Sequence, residues 1–176
     1  MLKRIKVNLE LLEQMIYFWK ASSENEKVAE DYLANIAAAP ELAPIYDSEL
    51  DAGGVRMVLS AITNRERMSD ANPRQWKFWN NNMWVMEDMG ILESMVRPIK
   101  VLNADELVKK VNARRDFPFE EAEVIFIPGT GEEYMIDKNR LTINFFKLSA
   151  DLYDEDKVTI EGVPVLDYIE DKLMLM

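Results

Sequence analysis

Trp76-Lys77-Phe78-Trp79-Asn80-Asn81-Asn82-Met83-Trp84-Val85-Met86-Glu87-Asp88-Met89 holds three of the chain's four tryptophans and three consecutive asparagines. Wound at about 100° per residue, the stretch sorts into two halves, the signature of an amphipathic helix. Val85, Phe78, Met89, Met86, Trp79, Met83 and Trp76 share one side, and Lys77, Glu87, Asp88, Asn80 and Asn81 share the other. Two residues break the pattern. Asn82 falls within the apolar half and Trp84 among the polar residues. The apolar half is expected to be the central core face, carried on one continuous helix from 76 to 89. Asn82 is expected to be a satisfied buried amide that fixes register. Trp84 must be either covered by another segment or offered to a partner, because its area and its indole N–H both favour desolvated contacts.

Upstream, Asn72-Pro73 gives this helix its start signal, a capping side chain followed by a first-turn proline, and Gly90 is expected to end it. Earlier still, Asn8 can cap a helix through Lys20 in which Leu11, Leu12, Met15, Ile16, Phe18 and Trp19 share a face. Ser23 with Glu26 has the capping-box spacing and predicts a second helix to about Ala39, stopped by Pro40. Gly53-Gly54 reads as loop, and Val55, Val58, Leu59 and Ile62 predict a third helix to Thr63. Downstream, Pro98 is taken to interrupt an extended stretch from Val96 to Leu102, and Asn103 with Glu106 opens a short helix toward Asn112.

Beyond residue 115 the periodicity changes. Val124–Ile127, Tyr134–Ile136, Leu141–Phe146 and Val158–Ile160 read as strands, with Leu141, Ile143 and Phe145 alternating against Thr142 and Asn144 as in a half-buried strand. Pro128-Gly129-Thr130-Gly131 and Glu161-Gly162 read as turns, the first as a hairpin, and Pro164 opens a last helix. The expectation is an α+β fold: a helical part over 1–115, and a small antiparallel sheet with a closing helix over 116–176, packed as one compact domain.

Composition narrows the function. The 176 residues are 48% hydrophobic, ample for a core, yet carry a net charge of −11 at a pI near 4.6. From Glu120 onward there are 14 acidic and 5 basic side chains, so this part holds nine of the eleven excess negative charges. Such a surface argues against direct binding to nucleic acid or to anionic lipid. The basic run Arg97, Lys100, Lys109, Lys110, Arg114 and Arg115 is expected to complement the acidic part, within the chain or between copies. No run approaches a membrane span. Glu10, Glu13 and Gln14 spoil any secretory reading of the basic Met1–Lys6 start, so a cytoplasmic location is expected.

There is no histidine and no cysteine. Imidazole-based triads, thiol nucleophiles and Cys/His metal sites are therefore excluded. No catalytic motif, metal site or cofactor is predicted. Asp151–Asp156 lacks the glycine and glutamate spacing of a calcium loop. Pro128–Gly131 lacks the Lys-Ser/Thr of a phosphate cradle, and Glu132 and Glu133 would repel the ligand. The leading expectation is a non-enzymatic protein that binds a protein partner or forms a homo-oligomer through Trp84, Asn80 and Asn81. The rival is a small-molecule binder or unusual carboxylate-based enzyme, with a cleft between helices and sheet lined by aromatics, in which Asn82 and acidic residues supply polarity.

Overall fold

The computed structural model describes residues 1–176 and has the α+β fold. It begins with a strand the periodicity did not assign, β1 (Arg4–Asn8), in which Ile5 and Asn8 are buried while Arg4 and Lys6 face solvent. Helices α1 (Glu10–Ser23), α2 (Glu30–Ala37), α3 (Ala52–Asn64), α4 (Pro73–Glu87), α5 (Met89–Lys100) and α6 (Asp105–Arg114) follow. Strands β2 (Glu121–Ile127), β3 (Tyr134–Asp137), β4 (Arg140–Asn144), β5 (Leu148–Ala150), β6 (Val158–Ile160) and β7 (Val163–Pro164) precede the last helix, α7 (Val165–Leu173). Contacts group the chain into two compact units that are not consecutive stretches. One comprises Met1–Leu9, Glu93–Phe126 and Glu132–Met176, and the other Glu10–Leu92 with Ile127–Gly131.

The strand-containing unit holds two sheets. The first runs β1-β2-β4-β3, with β1 parallel to β2 in the register Arg4↔Glu121 to Asn8↔Ile125 and β3 antiparallel to β4. The sheet is thus mixed, its parallel member supplied by the N-terminal segment. Strand β4 lies between β2 and β3, so Pro128–Gly131 does not close a hairpin as its composition suggested; the chain leaving β2 returns to pair one place further out. Central placement also explains why Thr142 and Asn144 are buried along with Leu141 and Ile143, where alternation implied one solvated face. The strand ends at Asn144, whose side chain accepts from the amide of Phe146 and turns the chain into a short 3-10 segment. The second sheet, β5-β6-β7, is antiparallel. Its β6–β7 connection is the two-residue turn Glu161-Gly162, with positive φ at both positions, the geometry of a tight hairpin of the primed kind.

Helices α6 and α7 are charge-matched within this unit. Glu170, largely buried on α7, faces Arg114 at 3.1 Å and Lys110 at 3.9 Å. Arg97 meets Glu155 at 3.1 Å, and Arg115 donates to the carbonyl of Met174. Much of the basic run therefore does meet the acidic C-terminal part inside one chain. On α6, Asn112 exchanges hydrogen bonds with both the amide and the carbonyl of Leu2, fixing the segment that enters β1.

In the helical unit, α1 packs on α2 and α4, and α3 on α2 and α4. Its cores are Leu11, Leu12, Met15, Phe18 and Trp19 of α1, Leu33 and Ile36 of α2, and Val55, Val58, Leu59 and Ile62 of α3. The Ser23 capping box does not form. Ser23 is the last residue of α1, and α2 starts only at Glu30 behind Ala29, which makes no side-chain cap. Between them Asn25 takes a left-handed conformation while the Glu26 amide donates to Ala21 at 2.9 Å, a Schellman-type stop. Gly53-Gly54 belongs to a helix rather than a loop: Asp51 caps α3, accepting from the Gly54 amide at 2.8 Å.

Gly90 and Pro98, the two residues beyond α4 whose chemistry marks a break, behave differently. Asp88 breaks the helix instead of Gly90, because its carboxylate accepts from the amides of Gly90 and Ile91 and so starts α5. Pro98 sits inside α5, whose stripe Leu92, Met95, Val96 and Ile99 is buried; Val96–Leu102 is not extended. Apolar spacing of three and four residues outweighs the one backbone hydrogen bond that proline deletes near a helix end.

Candidate functional site

Helix α4 starts as its sequence predicts. Asn72 accepts from the Gln75 amide at 2.9 Å while the Gln75 side chain accepts from the Asn72 amide at 3.0 Å, and Pro73 occupies the first turn. Packing on α1 and α3 then selects which side is buried. Only Phe78, Asn82 and Val85 are buried. Trp79, Met83 and Met86 are half-buried, and Trp76 is 39% exposed. The apolar half of the wheel is therefore wider than the buried arc, and Trp76, expected on the core side, faces solvent.

Asn82 lies at the heart of the buried arc. The indole Nε1 of Trp19 donates to its Oδ1 at 2.8 Å, and its Nδ2 donates to the Phe78 carbonyl at 2.8 Å. This is the satisfied interior amide anticipated for it. With no exposed surface, it cannot supply the polarity of a ligand cleft.

Trp84 stands on the opposite side at 49% exposure. Trp76, Asn80 and Trp84 are spaced at four-residue intervals and form one ridge, with exposed Asn80 between two exposed indoles. Trp79 and Met83 line the flank of that ridge, and the Trp76 and Trp79 rings meet edge-on with centroids 5.6 Å apart. Asn81, on the other flank, donates its Nδ2 to the carbonyl of Gly129 at 3.2 Å. The structure thus brings Trp84 and Asn80 together at the surface, ties Asn81 to the 127–131 loop, and withdraws Asn82.

The loop that Asn81 touches is fixed at a second point. The Arg74 guanidinium donates to Thr130 Oγ1 and to the Ile45 carbonyl, each at 2.9 Å, and pairs with the Asp47 carboxylate. Pro128–Gly131 therefore acts as a brace for α4, with its Gly129 carbonyl and Thr130 hydroxyl turned to helix side chains. A brace of this kind holds the ridge rigid, which lowers the entropic cost of using it as a contact surface. The sequence signal for Trp76 was available only in part: the wheel shows it beside Asn80, but not where the buried arc stops.

No helix of the protein is long and apolar enough to cross a membrane. The chain matches no protein-family model, no curated protein and no solved structure, so its own residues carry the functional reading.

Proposed function

We propose that this chain is a non-enzymatic binding protein that docks a protein partner, or a second copy of itself, through the α4 ridge centred on Trp84 and Asn80, with Asn81 at its edge. The observation that carries the reading is the half-exposed indole of Trp84, which stands free of the core its own helix packs. An aromatic side chain buries roughly 150–250 Å² when enclosed, so covering the exposed half of this ring would be worth roughly 2–3 kcal/mol. Trp76 adds to the same surface, and the neighbouring asparagines offer donors and acceptors for orientation. The lack of histidine and cysteine supports a role without catalysis. A cytoplasmic setting goes with this reading.

The test is Trp84→Ala with the circular dichroism spectrum held unchanged. Sedimentation over a range of protein concentrations reads self-association, and affinity recovery from native lysate reads a different partner. Loss of a wild-type association in the variant supports the proposal. Association retained at wild-type strength in both measurements rejects it.

A further inference from the structure

A cleft of about 500 Å³ opens at the C-terminal end of α5, wholly within the strand-containing unit. That volume lies in the range of roughly 300–1,000 Å³ usual for small-molecule sites. Its floor is apolar: Pro98 of α5, Leu102 beyond it, Val158 of β6, and Val165 and Leu166 at the start of α7. Pro98, Val158 and Val165 are buried, so the floor is built by the fold itself and does not depend on mobile side chains. Around the rim stand four charged residues, Arg97, Lys157, Glu106 and Asp156.

The rim charges are not equivalent. Arg97 is already paired, with Glu155 at 3.1 Å and Glu93 at 3.6 Å. Lys157, Glu106 and Asp156 are exposed and enter no ion pair. A purely apolar ligand would use the floor and none of these three. An unaccompanied anion would meet Lys157 but also two carboxylates, on a chain of net charge −11. A simple cation would be attracted by Glu106 and Asp156 and opposed by Lys157. A molecule carrying both signs on an apolar body uses every feature at once. The start of α7 adds to the positive side: Pro164 provides no side-chain cap, and Val165 and Leu166 of the first turn are among the residues that line the cleft.

We infer that this cleft binds a small zwitterion with an apolar body, of the class of free aliphatic and aromatic α-amino acids. The carboxylate is taken by Lys157 and the start of α7, the ammonium by Glu106 and Asp156, and the side chain by the Val158–Val165 floor. The site is independent of the α4 ridge.

Nuclear magnetic resonance titration of the intact, isotopically labelled chain tests it, with L-phenylalanine and L-leucine as probes. N-acetyl-L-phenylalanine lacks the ammonium and L-phenylalaninamide lacks the carboxylate. The zwitterions should move the amide resonances of Val101, Asn103, Val158 and Val165 saturably, and each analogue should bind about fivefold more weakly or worse. Lys157→Gln, a surface change, should weaken L-phenylalanine about fivefold without weakening the cationic amide analogue, which Lys157 repels. The inference is overturned by the absence of saturable shifts at millimolar probe, by shifts confined to other residues, or by an analogue that binds as well as its parent.

Discussion

Trp19 and Asn82, 63 positions apart, meet in the interior with the indole nitrogen 2.8 Å from the amide oxygen, and neither residue is exposed. The bond joins α1 to α4 at one register, since a shift of either helix by one residue would strand both groups without water. Replacing Asn82 with Leu removes the acceptor and leaves a buried N–H, at an expected cost of about 1–3 kcal/mol. Trp19→Phe also removes the bond, with a packing loss added. If the two groups stabilise the fold through each other, the double variant loses less than the sum of the singles. Urea unfolding of all four proteins measures this coupling, and strict additivity would show the two side chains to act separately.

Arg65 follows α3 with φ of 56°, a left-handed conformation, while its amide donates to Ile62 and the Glu66 amide to Ala61. This is the position where glycine normally ends a helix, and an L side chain there is strained. Arg65→Gly should therefore stabilise the protein by roughly 0.5–1 kcal/mol after the greater entropy of the unfolded glycine is counted. Arg65→Ala, which keeps the strain, should give no gain. Asn25 has the same conformation, but asparagine tolerates it better, so Asn25→Gly should gain less. Equilibrium denaturation of the three variants ranks them, and a different order would place the strain elsewhere.

Where local chemistry acts alone, the sequence was legible. Asn72-Pro73, the Glu161-Gly162 turn, and the stripes of α1 and α3 each specify their own element. The misjudged places depend on distant chain. Arg4–Asn8 is short and mostly polar, and it becomes a strand only because β2 offers an edge 117 residues away in register. Pro128–Gly131 looks like a hairpin until β4 takes the place beside β2. Ser23 could have capped a helix, but α1 runs far enough to absorb it. In the candidate site, the wheel exposed Trp84 and hid Asn82 correctly, yet could not fix where burial stops. That limit is set by α1 and α3, and it is why Trp76 stands outside.

The same limit makes a stability contrast along α4. Trp84→Ala and Trp76→Ala each remove a ring that is substantially exposed, so monomer stability should change by no more than about 1 kcal/mol. Phe78→Ala, on the buried arc of the same helix, should cost about 3–5 kcal/mol. Thermal or chemical unfolding at low protein concentration, where association is absent, checks the contrast. A large loss for Trp84→Ala would mean the ring supports the monomer and would remove it as a docking residue.

Tyr168 of α7 is buried, and its hydroxyl donates to the Glu133 carboxylate at 2.6 Å. Burial, and then the hydrogen bond to and charge of Glu133, push its pKa well above the ordinary tyrosine value of 10.0. The native state therefore holds the phenolic proton more tightly than the unfolded chain. Below about pH 10 both states are protonated and the stabilisation is complete; above it the unfolded state sheds the proton first, so stability falls as pH rises toward the native pKa. The steepest loss from one such group is about 1.4 kcal/mol per pH unit. Tyr168→Phe lacks the hydrogen bond and should be about 1–2 kcal/mol less stable near neutrality. It also lacks the titration, so the gap to wild type should close as pH climbs past 10. Tyr32 and Tyr46, raised chiefly by burial as well, remain in both proteins and cancel in the difference. Urea unfolding of the pair from about pH 8 to 11 reads the gap directly, and curves that stay parallel would place the Tyr168 proton outside the stability of the fold.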